Sequence, residues 1–340
     1  MALPTAGTFT ASDLLEVQMK GDQMWVDNIG SGYYDAEVDS TLAILNEQKT
    51  IQGFRELRSS EKDRTVTMVW LNDCTETVAD CSNDCTVGGD ELASDSKDYT
   101  LNICKTTGFT IKEKELRGNV FSPEELIARG MLQKIKLLDE SLNTAVLAAI
   151  EAARGVNEYL PTGWENSSSD TLVPTSEFNK SMIPRLIMTG KINRFKNPFV
   201  LSGEALWYEQ WEAMNNQGNG EGKGDANRFS KIRLYNDVYN IDALNGGTKK
   251  MYLIHQGALA LITKSYYQIK PANYMDNIRY AVPSMKLPGV YYDVIYKNEC
   301  SSNEMYHKFS LSLNAGVFVN PTGCSETRTG VIAFAESAAV

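Results

Sequence analysis

The residues that could do chemistry in this chain are its thiols, imidazoles and carboxylates. Four cysteines, Cys74, Cys81, Cys85 and Cys104, fall in one region, and Cys300 and Cys324 complete the set of six. Thiolates close in sequence could hold zinc, and Cys81 and Cys85 have a workable ligand spacing. The gap from Cys74 to Cys81 is too long for an ordinary knuckle pair, and no second close pair exists. Six cysteines are too few for a disulfide-rich secreted scaffold. Unpaired thiols are therefore the reading adopted, with a zinc site or a loop-tip disulfide as alternatives. The two histidines lie far apart. His255 sits in an apolar stretch and reads as structural, whereas His307 lies between Tyr306 and Lys308 near a polar turn. No HExxH, GxSxG or CxxC motif is present. The glycine-rich GNGEGKG run at 218–224 lacks the phosphate-binding spacing, because Lys223 precedes Gly224 rather than Ser or Thr. It reads as a solvated loop. Of the adjacent acidic pairs, Asp139-Glu140 is expected to face solvent on a long helix, and no pattern draws two carboxylates into a pocket.

One tract is purely basic. Lys180, Arg185, Lys191, Arg194 and Lys196 occur with no acidic residue between Asn179 and Gly203. It could meet DNA backbone or an acidic neighbouring subunit, although a solvated face or subunit salt bridges are the favoured reading. The chain as a whole carries 33 Lys plus Arg against 43 Asp plus Glu, a formal charge of −10. Such a surface does not grip free nucleic acid. No apolar run approaches the length of a membrane span, and the N-terminus lacks the basic start and apolar core of a secretion signal.

The 340 residues are 42% hydrophobic, enough for two domains or one elaborated fold. Residues 1–64 read as an extended arm with local helices, one at 11–17 and short elements around Thr41–Ile44 and Ile51, interrupted by the Gly30–Gly32 stretch. Residues 65–117 read as a long hairpin, with TVTMVWL at 65–71, alternation resuming at Tyr99, Leu101 and Ile103, and a polar tip between. Such a hairpin has little core of its own and needs a neighbour. The clearest element is a helix over residues 123–154. Ser122 caps it, Pro123 opens it, Glu125 completes a capping box and Gly155 stops it. Its apolar residues recur at three- and four-residue spacing on one face, and Gly130 is its weak point. At about 1.5 Å per residue it is roughly 48 Å long.

Residues 156–180 are loop-like. A strand at Phe199–Leu201, an amphipathic helix at 204–214 and a loop tip at 215–227 follow. The apolar run MYLIHQGALALIT at 251–263 reads as a strand leading into a short helix. GVYYDVIY at 289–296 and FSLSLNAGVFV at 309–319 read as a second long antiparallel pair, followed by an apolar tail from Thr329. The class is α+β.

This order of arm, long hairpin, long helix, compact mixed domain and terminal strands resembles the major capsid proteins of tailed bacteriophages, which share the HK97-type fold. RLYNDV at 233–238 with MYLIHQGA at 251–258 is similar to the late axial-domain pattern of those shells, and NAGVFVNP at 314–321 to their usual ending. The resemblance implies an N-terminal arm (1–64), an extended hairpin or E-loop (65–117), a peripheral domain with spine helix (118–155), an axial domain (156–280) and closing peripheral strands (281–340). It also implies a structural protein rather than an enzyme, with no cofactor, assembling into pentamers and hexamers around packaged double-stranded DNA contacted non-specifically. Scaffolding, portal and decoration proteins would be its partners, the virion capsid its location, and the bacterial cytoplasm its place of assembly. Trp70 and Phe109 in the hairpin, and Trp207 and Trp211 on the axial helix, are the candidate assembly anchors, with intrachain core as the equal alternative. The last two lie at i,i+4 on one face. Neither partner of the lysine–asparagine cross-link of some relatives can be aligned here. The rivals are an encapsulin-like nanocompartment shell of the same fold, a cysteine- and zinc-containing enzyme, and a phage tail or decoration protein.

Overall fold

The computed structural model describes residues 9–29, 40–48, 51–54, 65–72, 93–118, 120–215, 229–284, 286–301, 304–319 and 329–337. The chain divides into two compact units. One comprises Met1–Lys62, Leu101–Val146 and Leu261–Val317, and the other Asp63–Thr100, Leu147–Ala260 and Phe318–Val340.

In chain order the helices are α1 (Ala11–Ile29), α2 (Ser40–Gln48), α3 (Glu113–Gly118), α4 (Pro123–Ala152), α5 (Met182–Ile192), α6 (Glu204–Asn215) and α7 (Asn240–Leu244). The strands are β1 (Ile51–Phe54), β2 (Thr65–Asn72), β3 (Ala93–Thr100), β4 (Ile103–Lys112), β5 (Glu165–Ser167), β6 (Asp170–Pro174), β7 (Phe199–Ser202) and β8 (Arg233–Asn236). They continue with β9 (Lys250–Ile254), β10 (Leu259–Lys264), β11 (Ala272–Tyr274), β12 (Asn277–Pro283), β13 (Tyr291–Ser301), β14 (Glu304–Val319) and β15 (Val331–Ser337).

The first unit is organised by a seven-stranded sheet in the order β1-β10-β14-β13-β12-β11, with β4 also paired to β14. β13 and β14 form the expected antiparallel pair, from Asp293 opposite Ser312 to Ser301 opposite Glu304. The run at 103–112, read in sequence as part of the hairpin, pairs antiparallel with β14, Phe109 opposite Phe309. The N-terminal segment also packs here. α1 is longer than the 11–17 piece read from sequence, because Leu14, Val17 and Gly21 recur at helical spacing on its buried side. The Phe9 amide donates to the Tyr296 hydroxyl at 3.3 Å, and β1 adds in parallel to β10.

α4 begins as its sequence dictates, with the Glu125 amide donating to the Ser122 hydroxyl at 3.2 Å. Gly130 proves to be a contact point. A Cβ there would lie 2.8 Å from Cε2 of Phe109, and the missing side chain lets the helix approach the Phe109–Phe309 stack, whose ring centroids are 4.8 Å apart.

In the second unit a six-stranded sheet runs β5-β6-β15-β9-β7-β8. β15 is an inner strand, parallel to β6 and antiparallel to β9. The core on this sheet joins Met182 and Leu186 of α5 and Leu206 of α6 to Val200, Leu253, Ile332 and Phe334. The run at 251–263 does not lead into a helix. It is two strands, β9 and β10, broken by a turn in which the Ala258 amide donates to the His255 carbonyl at 3.1 Å and Gly257 takes φ 84°. Both strands are buried throughout, so the apolar run carries no period that separates strand from helix. β2 and β3 form a two-stranded ribbon, Thr65 opposite Thr100 through Asn72 opposite Ala93.

Candidate functional site

Two polar clusters tie α4 into the fold, one within each unit. In the first unit Asp139 is only 2% exposed. Its Oδ1 accepts hydrogen bonds from Ser284 Oγ at 2.9 Å and from the Tyr292 hydroxyl. Burial pushes the Asp139 carboxyl up to about 6, against the two hydrogen bonds that favour its charged form. Tyr292 is driven well above the ordinary phenol value by its own burial and then by the Asp139 charge. The sequence expectation that Asp139-Glu140 faces solvent is therefore corrected: Asp139 is on the apolar face, where the β13 hydroxyl of Tyr292 gives it a partner. Its proximity to Leu138 and Leu142 at helical spacing was the available signal, but a partner 153 residues distant was not.

In the second unit the C-terminal turn of α4 carries a charged cluster. Lys250 Nζ lies 2.6 Å from Glu151 Oε1 and 3.0 Å from Asp170 Oδ2. Arg154 Nε lies 2.7 Å from Asp170 Oδ1, and its Nη1 also meets Glu151. Tyr252 donates its hydroxyl to Glu151 Oε2 at 2.6 Å. Burial, and then the Glu151 hydrogen bond, raise the Tyr252 phenol above its ordinary value. Two carboxylates and two cations balance, so the cluster satisfies its own charge. It fastens α4 to β6 and β9, and a parallel bridge between Gly155 and Ile332 adds β15. None of its members stood out in the sequence, since α4, β6 and β9 each contribute only one or two residues.

The expected assembly anchors are dispersed. The Trp70 backbone pairs opposite Asp95 in the ribbon, and its side chain lies outside the described residues. Phe109 stacks on Phe309. On α6, Trp207 is half-buried and Trp211 is 56% exposed. Of the basic tract, the Lys180 amide bonds the Glu209 carboxylate. Arg185 pairs with Glu177, Nη2 to Oε1 at 3.2 Å, and lies 5.3 Å from the Trp164 ring. Lys191, Arg194 and Lys196 are exposed.

The thiol and imidazole candidates resolve differently. Cys74, Cys81, Cys85 and Cys324 lie outside the described residues, and Cys104 and Cys300 are exposed free thiols. Among the described residues no group of three or more His, Cys, Asp or Glu is placed to hold a metal. His307 is 1% exposed rather than at a polar turn, because it lies within β14, where its Nδ1 meets the Tyr296 hydroxyl at 2.9 Å. His255 accepts the Lys196 amide on Nδ1 at 2.9 Å, and burial holds its pKa below the usual value. No helix of the described residues is long and apolar enough to cross a membrane.

No family model and no curated protein matches the chain. Solved structures do. The capsid asymmetric unit of cyanophage A-1(L) superposes with TM-score 0.51 at 10% identity, covering 88% of this chain and 94% of that chain. The capsid of Ralstonia phage GP4 gives 0.47 at 11% identity over 86% and 88%. The capsid of Myoviridae phage XM1 gives 0.46 at 12% identity over 86% and 92%. The chain has a mixed α+β architecture of the HK97-type capsid fold.

Proposed function

We propose that this chain is a shell-forming subunit, the major capsid protein of a tailed phage, assembling into pentamers and hexamers that close around double-stranded DNA. The observation that supports this most is the likeness to the cyanophage A-1(L) capsid subunit over 88% of the chain. In this reading residues 1–64 are the N-terminal arm, 65–117 the hairpin region, 118–155 the spine-helix part of the peripheral domain, 156–280 the axial domain and 281–340 the closing strands. Scaffolding, portal and decoration proteins are its partners in the head. The role is structural, so binding energy comes from many repeated contacts of limited area, summed by closed symmetry. A ribbon of two strands has too little core for independent stability, and a neighbouring subunit is the surface that supplies the rest. Trp70, Trp207 and Trp211 are the anchors of such contacts, whereas Phe109 is taken up within the chain by Phe309 and Gly130.

Electron microscopy of the purified protein, with the mass of its assemblies, tests the reading. Closed polyhedra or five- and six-membered rings are expected, and a population of uniform monomers carrying one zinc each would replace it with the enzyme reading. An enzyme cargo inside closed shells would instead indicate a nanocompartment. Within the shell reading, Trp70→Ala is expected to impair assembly more than subunit folding, and normal closed particles of that variant by sedimentation would remove Trp70 from the contact.

A further inference from the structure

We propose that His307, Tyr296 and Phe9 form an acid-sensitive latch: with His307 neutral it fastens the start of α1 to the β13–β14 pair, and proton uptake by His307 releases it. The latch lies within one subunit, so it stands apart from the shell reading above.

The chain enters α1 through a local cap. The Thr10 hydroxyl accepts the Asp13 amide at 3.4 Å, and the Thr10 amide donates to Asp13 Oδ2 at 2.7 Å, the two halves of a capping box. Phe9 stands just before that cap, where an apolar residue fixes the entry angle of the chain. Its ring meets the His307 imidazole edge-on, with centroids 5.0 Å apart, and the Tyr296 ring at 5.9 Å. Its amide donates to the Tyr296 hydroxyl at 3.3 Å, across 287 residues of sequence. Leu14 and Val17 are buried on the later turns of α1, so the latch governs the first turn.

His307 occupies a core position of β14: Phe309, Leu311 and Leu313 follow at alternate residues and are all buried. His307 is 1% exposed and Tyr296 2%. With so little water, each polar atom needs a protein partner. The Phe9 N–H can only donate, so it takes a lone pair of the Tyr296 oxygen. The Tyr296 proton then has His307 Nδ1, at 2.9 Å, as its acceptor. In that arrangement the imidazole is neutral, with its proton on Nε2. An imidazolium carries a proton on both nitrogens. Its Nδ1 would aim a second donor at the Tyr296 oxygen and leave the phenolic proton buried without an acceptor.

The surroundings do not compensate an added charge. Burial holds the His307 imidazole below its ordinary value of 6.5, against the pull of Glu113 on α3. Asp13 of α1 acts on the Tyr296 phenol. β4 places Ile111 opposite His307, and β13 places Asn298 opposite it. Lys308 is exposed on the other face of β14, 2.5 Å from Glu299 Oε2. A base lowered in this way contributes its stability in full above 6.5 and loses it as pH falls through the folded value. Asp139 works in the opposite sense. Four residues before Tyr296, on the same face of β13, Tyr292 bonds the Asp139 carboxyl, which takes up its proton at about 6. Acid therefore tightens α4 on β13 while it loosens the start of α1.

Hydrogen exchange of the full chain tests the latch, read by mass spectrometry over residues 9–17 and corrected for the intrinsic pH dependence of exchange. Between about pH 7.5 and about pH 5, protection of this stretch is expected to fall about tenfold, the effect of leaving one buried polar group unmatched. His307→Asn keeps an acceptor on the Nδ1 side and has no proton to gain, so it should show no such fall. Tyr296→Phe keeps the ring and removes the hydroxyl, so it should show the lower protection already at about pH 7.5. His255→Asn changes the other histidine, in the second unit, and should behave as wild type. An acid loss of equal size in wild type and His307→Asn overturns the inference. So does full wild-type protection in Tyr296→Phe at about pH 7.5, a comparison that decides alone should His307→Asn fail to fold. Protection that rises in acid also overturns it, by showing that the Phe9 ring favours the imidazolium.

Discussion

Replacing Asp139 by Asn should flatten the acid side of the stability profile. Asp139 is 2% exposed, and its carboxyl is pushed from an ordinary 3.8 up to about 6, burial outweighing the hydrogen bonds from Tyr292 and Ser284. The raised value means that the folded state holds the proton more tightly than the unfolded state does. The contribution to stability is fully present below about pH 4 and is lost as pH rises through about 6. The difference between about 6 and 3.8, at 1.36 kcal/mol per pH unit, is worth about 3 kcal/mol. Asn keeps an Oδ1 that can accept from both hydroxyls and has no proton to lose in this range. It also brings an amide N–H2 into the site, at a cost of about 1 kcal/mol if one donor stays unmet. The variant should therefore be slightly weaker than wild type at pH 4 and about 2 kcal/mol stronger at pH 7. Urea unfolding of the unassembled subunit at half-unit steps between these values measures the difference. Parallel profiles for the two proteins would refute the reasoning, because they would mean that Asp139 titrates alike in both states.

Lys250→Met should cost about 3–5 kcal/mol, by leaving Glu151 and Asp170 to share the Arg154 cation in a partly buried setting; a loss below about 1 kcal/mol in urea would show that water reaches the cluster. Tyr280→Phe should stabilise by about 1 kcal/mol, since that hydroxyl is buried and meets no hydrogen-bond partner among the described residues, and a lowered midpoint would contradict this. Gly130→Ala should destabilise by about 1–2 kcal/mol, with overpacking against Phe109 exceeding the gain in helix propensity. Adding Phe109→Leu should recover part of that loss in a double-mutant cycle, and strict additivity of the two would deny the contact.

The long helix was legible in advance because its information is local. Ser122, Pro123 and Glu125 mark its start, and one apolar face runs its length, so the boundaries moved by only two residues, from 154 to Ala152. The β13–β14 pair was legible for the same reason: both strands are long and rich in aromatic and branched residues. The order of elements was enough to suggest the shell fold, which the cyanophage likeness supports.

What sequence alone left open depended on partners distant in the chain. Nothing local in VIAFAES says that it enters a sheet between β6 and β9, and an inner strand is defined only by its two neighbours. Asp139 looks like any helix carboxylate until Tyr292 arrives across the sheet. Gly130 looks like a defect until Phe109 occupies the space its side chain would have filled. Glu151, Arg154, Asp170 and Lys250 become one cluster only when helix and sheet meet. Period, caps and composition act over a few residues and are fixed by sequence. Burial, pKa and charge pairing depend on distances that only the closed tertiary structure sets.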